Sequence, residues 1–341
     1  MVRLRRKDEK IKVLFLYTPP LSSFKQRDLE ILRKNFNVKV LCYDRLVKSF
    51  FKLLIGIAWA DVVFSWFGYK HSFWAVLLSK ILKKKTIIVI GGGEVARVPE
   101  IGYGLLLSSK NISIIRYILE NTDLVLTVDE SLKRDAIKNL GVYGKNIQTL
   151  PTGYDPEFWK PSGKKNNVVL TVSYIYKSTI KRKGLRTFIE ASRLLPDVKF
   201  VIVGSHIDNS IEELKAIAGQ NVEFTGFIPD EELLRYYQRS KVYCQLSRYE
   251  GLPNALCEAM LCECVPVGTN YCGIPTAIGD TGFYVPYGDP IATANAIKKA
   301  LKSNKGKKAR ERIKNLFPIE KRERSLVKII YNLCKFECRK G

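Results

Sequence analysis

The chain has 341 residues, 46% hydrophobic and 26% charged, which excludes a disordered segment and points to two globular domains rather than one. Its 57 basic and 33 acidic residues leave a formal charge of +24, a field that attracts nucleic acid, anionic lipid or phosphorylated ligands. The plain alternative is a Lys-rich solvated surface.

Residues Met1 to Lys10 are charged and lead straight into a strand, so no leader peptide is expected. Ile11 to Tyr17 reads as that strand, Phe24 to Lys34 as a helix and Val38 to Cys42 as a second strand. The apolar run Leu53 to Ala60, bracketed by Lys52 and Asp61, is too short to span a bilayer. The stretch Arg45 to Leu54 sets Arg45, Lys48 and Lys52 beside Phe50, Phe51 and Leu53, a pattern that suits either an anionic membrane surface or an ordinary packed helix. Strands follow at Val62 to Trp66 and Thr86 to Ile90, separated by an amphipathic run from Ser72 to Leu82, and then at Leu124 to Val128 and Ile147 to Leu150. Such alternation predicts parallel strands with helices on both faces. The aromatic group Phe64, Trp66, Phe67, Phe73 and Trp74 has the spacing of a core.

Pro151 to Asn167 is rich in Pro, Gly, Lys and Asn and marks a domain boundary. Beyond it the alternation resumes. Strands are expected at Val168 to Ser173, Val198 to Val203, Val222 to Thr225, Val242 to Leu246 and Val265 to Val267. Helices are expected at Gly184 to Leu195, Asp230 to Arg239 and Asn254 to Leu261, with Asp230 as N-cap ahead of Glu231 and Glu232. The expected fold class is therefore α/β, with two Rossmann-like doubly wound parallel sheets facing across a cleft. Residues 1–155 are expected to form the N-terminal domain, residues 156–318 the C-terminal domain, and residues 319–341 a C-terminal helix, with a crossing back to the N-terminal domain as an open alternative.

Cys257, Cys262, Cys264 and Cys272 lie close together, but their spacing is not that of a zinc site, and His71 and His206 are scattered. Buried thiols as small hydrophobes are the expectation. No metal site and no cofactor are expected.

The most informative segment runs Ser247-Arg248-Tyr249-Glu250-Gly251-Leu252-Pro253-Asn254-Ala255-Leu256-Cys257-Glu258. Glu250 ends a strand ahead of a glycine turn, and Glu258 falls about one and a half turns into the helix that follows. Strand end, turn and helix start make a corner of free backbone N–H groups that suits a phosphate, with two carboxylates placed to accept sugar hydroxyls. The plain alternative makes Glu250 a loop residue and Glu258 a solvated one.

Continued through Val265-Pro266-Val267, Gly273-Ile274-Pro275 and Gly279-Asp280-Thr281-Gly282, this segment resembles the retaining glycosyltransferases of family 4 (glycosyltransferase group 1), which have the GT-B fold. Pro151-Thr152-Gly153-Tyr154-Asp155, Arg182-Lys183-Gly184-Leu185, Val201-Ile202-Val203-Gly204 and Phe224-Thr225-Gly226-Phe227 agree with the same family in order. The resemblance covers the C-terminal half nearly continuously and is much weaker over residues 1 to 150.

The resemblance implies a nucleotide diphosphate sugar donor. In that reading Glu258 accepts the ribose hydroxyls, and Glu250 stands at the transferred sugar as the catalytic-side carboxylate. Gly251, Leu252, Pro253 and Asn254 line the sugar and open the helix. Lys183 neutralises the leaving diphosphate, with Arg182 or Lys177 as its partner cation, while Gly204 and Phe227 lie toward the nucleotide. The family normally needs no divalent ion, and no Asp-x-Asp motif is present.

Two departures stand out in the motif region: Glu263 replaces the glycine that commonly ends the motif helix, so that the helix is expected to run on or end less cleanly, and Thr276 replaces a common Glu. In the N-terminal half the first strand ends in Thr18-Pro19-Pro20 without a glycine pair, and the family's catalytic-side histidine is absent. Gly91-Gly92-Gly93-Glu94 stands in its neighbourhood; Gly92 and Gly93 let backbone approach a ligand, and Glu94 is expected to project into the cleft as a second catalytic candidate. Val98 to Gly104 is a candidate acceptor loop.

The expected partners are the donor, a saccharide or lipid-linked acceptor and, as an open alternative, an anionic membrane. No RNA-binding aromatic signature, helix-turn-helix or zinc knuckle supports nucleic acid. A cytoplasmic protein, either soluble or peripheral at the inner face of the membrane, follows from these expectations. A nucleotide-sugar epimerase of the same fold and a non-catalytic binding protein stand as alternatives; the first calls for cleft histidines that this chain does not place.

Overall fold

The computed structural model describes residues 10–44 and 46–335, with the side chains of 46–48 and 335 left aside. Residues 1–9, Arg45 of the basic stretch and residues 336–341 of the expected last helix lie outside the described residues. The chain divides into two compact units, one of residues 1–97, 104–151 and 320–341 and the other of residues 98–103 and 152–319.

The first unit carries β1 (Lys12–Tyr17), α1 (Ser23–Asn35), β2 (Asn37–Cys42), α2 (Leu46–Trp59), β3 (Val62–Trp66), α3 (Lys70–Ile81), β4 (Lys85–Ile90), α4 (Ser109–Asn121), β5 (Leu124–Thr127), α5 (Glu130–Leu140) and β6 (Ile147–Thr149). Its sheet runs β2-β1-β3-β4-β5-β6 and every neighbouring pair is parallel. The reason is legible in β1 and β4: Val13 to Leu16 and Ile87 to Ile90 are unbroken apolar runs, buried on both faces by flanking helices. Phe64 and Trp66 belong to that core.

The second unit carries β7 (Asn166–Val172), α6 (Lys177–Lys183), α7 (Leu185–Arg193), β8 (Lys199–Val203), α8 (Ile211–Lys215), β9 (Val222–Gly226), α9 (Asp230–Arg239), β10 (Ser240–Gln245), α10 (Asn254–Leu261), β11 (Val265–Thr269), α11 (Ile274–Ile278), β12 (Phe283–Val285), α12 (Pro290–Leu301) and α13 (Gly306–Leu316). Its parallel sheet runs β12-β11-β10-β7-β8-β9, so the order reverses between β7 and β10. Ligands of open α/β sheets bind at the carboxyl ends of strands beside such a reversal.

The last helix, α14 (Ile319–Lys335), packs its residues from 320 onward in the first unit. It is fixed there by charge: Arg322 donates from Nε to Asp28 Oδ1 at 2.6 Å and from Nη2 to Asp28 Oδ2 at 2.7 Å, and both side chains are nearly sealed from solvent. Trp66 Nε1 donates to the same carboxylate at 3.0 Å, and Arg322 Nη1 donates to the Leu150 and Pro151 carbonyls.

Several local expectations are corrected. Strand β7 begins at Asn166, inside the expected linker. The stretch before Lys183, outside the helix expected from Gly184, is itself a helix, because Thr179 Oγ1 accepts from Tyr176 N–H at 3.0 Å while the Tyr176 carbonyl accepts from Thr179 N–H at 2.8 Å, a reciprocal cap. Asp230 is the first helical residue of α9 and Pro229 takes the cap position, so the acidic first turn acts through the helix dipole alone. At Glu263 the helix does not run on: α10 ends at Leu261 and Glu263 adopts φ 64°, a left-handed turn glycine would make at less cost.

Candidate active site

The site is built where β10 ends. Gln245 is the last strand residue, and Leu246 to Pro253 loop over to the start of α10 at Asn254. Helix α6 delivers its C-terminal end to the same place. Gly184 ends α6 at φ 66°, and a Cβ there would stand 2.4 Å from the Leu246 carbonyl oxygen, so only glycine allows this approach. The last carbonyls of α6, orphaned by helix geometry, are taken by Arg248 N–H on Arg182 O at 2.8 Å and by the Tyr287 hydroxyl on Lys181 O at 2.6 Å.

This places Arg182 and Lys183 against Glu250. Lys183 Nζ lies 2.6 Å and Arg182 Nη1 3.3 Å from Glu250 Oε1. Ser247 Oγ donates to the same oxygen at 2.8 Å and Gln245 Nε2 at 3.1 Å. Burial alone would raise the Glu250 carboxyl; the charges of Lys183 and Arg182, with hydrogen bonds from Lys183 and Ser247, outweigh it and hold the group below its ordinary range. Burial also depresses the Lys183 ammonium, against the pull of Glu250. The result is an ionised carboxylate facing two cations in a largely desolvated corner.

Of the other expected site residues, Glu258 is 5% exposed in the second turn of α10. Its neighbours Tyr237 and Tyr243 have phenols raised by burial first and by its charge as well. Gly251, Leu252 and Pro253, within that loop, are buried. Asn254 Oδ1 accepts the Tyr154 hydroxyl at 2.9 Å. Gly204 follows β8 at φ 146°, where a Cβ would stand 2.1 Å from the Ser173 carbonyl oxygen, and thereby lets the ends of β7 and β8 close together. Phe227, just past β9, is 74% exposed, and His206 is exposed past β8. Lys177 is not brought to Glu250: it is exposed at the opposite end of α6, about 9 Å along the axis from Lys183.

In the first unit Glu94 is 3% exposed and its carboxylate is occupied by backbone. Oε1 accepts from Gly68 N–H at 3.2 Å and Gly91 N–H at 3.3 Å, and Oε2 accepts from Gly92 N–H at 2.9 Å. Burial raises this carboxyl, and the amides lower it only in part. Gly92 is thus a donor to Glu94, and the Gly93 carbonyl accepts from Leu105 N–H at 2.9 Å. His71 is buried, with Nε2 2.9 Å from the Trp66 carbonyl, and burial lowers it to about 4. Cys257, Cys262 and Cys264 are fully buried, and burial raises the Cys264 thiol, which donates to the Tyr237 and Ser240 carbonyls.

Sequence reasoning missed Gln245, and it read residues 98–104 as a candidate acceptor loop without the contacts that the turn makes. Gln245 carries a usable signal, a lone amide in an otherwise apolar strand end, since a buried amide requires partners. The turn carries none: Glu100 pairs with Arg248, and Tyr103 lies 5.7 Å from the Tyr249 ring and 5.0 Å from the Arg182 guanidinium, contacts between residues remote in the chain.

Comparison with known proteins bears on this geometry. Residues 157–316 match the family model of the glycosyl transferases group 1. The matched range contains Lys183, Arg182, Glu250 and Glu258. A phosphatidylinositol N-acetylglucosaminyltransferase component of Arabidopsis thaliana is 23% identical over 197 residues, 55% of this chain and 44% of that protein. The amylovoran biosynthesis glycosyltransferase AmsK of Erwinia amylovora is 27% identical over 255 residues, 69% of this chain and 60% of that protein. The chain therefore spans about half the length of these curated relatives. The Anabaena protein HepE, crystallised in complex with UDP-glucose, has a TM-score of 0.80 at 16% identity, covering 94% of this chain and 100% of that one. At that identity the likeness is one of fold, the GT-B architecture of two Rossmann-like domains.

Proposed function

We propose that the protein is a retaining glycosyltransferase of family 4 that moves a hexose or N-acetylhexosamine from a nucleotide diphosphate sugar to a saccharide or lipid-linked acceptor, without a metal ion. The observation that carries this is the convergence of Lys183 and Arg182 on Glu250 at the carboxyl end of β10, where the strand order reverses. The second unit takes the donor and the first unit recognises the acceptor.

The chemistry follows from the charges. The diphosphate lies against Lys183 and Arg182, and Glu258 accepts the ribose hydroxyls. As the bond from the anomeric carbon to the diphosphate oxygen breaks, negative charge grows on the leaving group, and two fixed cations in a desolvated corner stabilise it. Glu250 accepts sugar hydroxyls beside the positive anomeric centre. The acceptor hydroxyl attacks from the face the diphosphate leaves and gives its proton to a departing phosphate oxygen, so configuration is retained. The relatives' names speak for transfer rather than epimerisation. The complex of HepE makes UDP-glucose the first donor to test, and the lipid in the name of the Arabidopsis relative supports a lipid-linked acceptor.

A peripheral membrane position accords with α2. Leu53 and Ile57 are fully buried, while Phe51 and Ile55 are 64% and 69% exposed, with Leu54 and Lys52 also on the outward face. An apolar outward face on a chain of formal charge +24 suits an anionic bilayer. No helix among the described residues is long and apolar enough to cross one.

A thermal-shift screen against UDP-, GDP- and ADP-sugars tests the donor reading, since a ligand bound only by the folded state raises apparent stability. Stabilisation by one of them, and its loss in Lys183→Ala, is expected; no stabilisation by any overturns the reading. Flotation with anionic liposomes that salt does not weaken, or no flotation at all, would remove the membrane part.

A further inference from the structure

The carboxylate of Glu250 is held from one side. Oε1 receives Lys183, Ser247, Gln245 and Arg182, whereas no hydrogen bond to Oε2 occurs among the described residues. The four donors are of two kinds. Lys183 and Arg182 are cations at the end of α6. Ser247 and Gln245 are neutral, 0% and 2% exposed, and come from the same strand end as Glu250 itself.

Gln245 is the better fixed of the neutral pair. Its amide oxygen accepts the Tyr243 hydroxyl at 3.3 Å, and its Nε2 donates to Ser247 Oγ at 2.8 Å as well as to Glu250. A buried amide is costly unless satisfied, and these bonds form one chain from Tyr243 through Gln245 and Ser247 to Glu250.

We infer that Gln245 is a positioning residue, which keeps Glu250 Oε1 fixed when Lys183 and Arg182 turn to the donor diphosphate and so leaves Oε2 aimed at the sugar. This rests on the donor reading above. A diphosphate carries more charge than a carboxylate and draws both cations. A buried carboxylate that lost them with nothing in their place would take up a proton or swing toward water. Two neutral donors anchored in the strand end keep it ionised and in register, and register is what a transferred sugar needs.

The test uses the full chain with UDP as binding probe and UDP release from UDP-glucose as turnover. Gln245→Ala is expected to bind UDP within about threefold of the unsubstituted protein and to keep its KM, while kcat falls about 10- to 100-fold. Gln245→Glu, of nearly the same shape, supplies a readout that a folding role does not move. Its introduced carboxyl donates when protonated and repels Glu250 when ionised, so its kcat relative to the unsubstituted protein is expected to fall about tenfold as pH rises through that titration. Unchanged kcat in Gln245→Ala, or a pH-independent ratio for Gln245→Glu should the alanine variant not fold, overturns the inference. If the unsubstituted protein binds UDP but Gln245→Ala does not, the residue shapes the donor pocket instead, which also overturns it. Failure of the unsubstituted protein to bind or turn over UDP-glucose overturns the uridine donor reading itself.

Discussion

Glu94 and Glu250 both stand just past a strand, both are nearly buried, and both have glycine close by in the chain, yet the two units use them differently. Around Glu94 the donors are three backbone N–H groups; neutral dipoles tie two loops together, and burial keeps the carboxyl raised. Around Glu250 two cations join two neutral side chains, and the carboxyl is lowered. Charge partners, not burial, separate the two. The first unit spends buried charge on architecture, as the Arg322–Asp28 pair also does. The second gathers it into a corner where an anion can compete for the cations.

The sharpest break of this contrast is Asp28→Ala. Removing one partner of a buried pair leaves the other uncompensated and costs about 3–5 kcal/mol, and urea unfolding of the first unit's transition is expected to show it. A loss under about 1 kcal/mol would make that pair incidental. Lys183→Ala should act in the opposite sphere: transfer falls about 10²- to 10³-fold, with stability changed far less, because Glu250 keeps Arg182, Ser247 and Gln245.

Next comes His71. Its folded value of about 4 lies below the ordinary 6.5, so the unfolded chain binds the proton first. The stability held by the neutral imidazole is complete above about pH 6.5 and is lost as pH falls toward 4. The group accounts for about 3 kcal/mol over that window, and a His71→Gln variant should lack that slope in denaturant titrations at stepped pH. The smallest effect is that of Glu94→Gln, about 1–3 kcal/mol of stability from a weakened amide clamp, with UDP affinity unchanged. Lost UDP binding in that variant would show that Glu94 serves the donor and would erase the contrast.

Much of the scaffold was legible. Strand β3 and helices α9 and α10 occupy the expected bounds, because a short apolar run, an amphipathic pattern behind an acidic first turn and a Gly-Leu-Pro turn ahead of a helix start are local signals. Helix α6 was not, since its apolar content is slight and its existence rests on a reciprocal cap at Tyr176 and a left-handed Gly184. Nor was the left-handed turn at Glu263, which the approach of Gly306 to its carbonyl accompanies.

The sequence by itself determined the alternation that makes two parallel sheets, and the residue types at the end of β10, because periodicity and turn chemistry act over a few residues. Tertiary structure alone decided that Arg182 rather than Lys177 joins Lys183 on Glu250, that Gln245 holds that carboxylate, and that Glu94 is occupied by amides. The first outcome depends on a Coulomb distance between segments 68 residues apart in the chain, and the other two on side-chain directions and burial, all of which exist only once the sheet has formed.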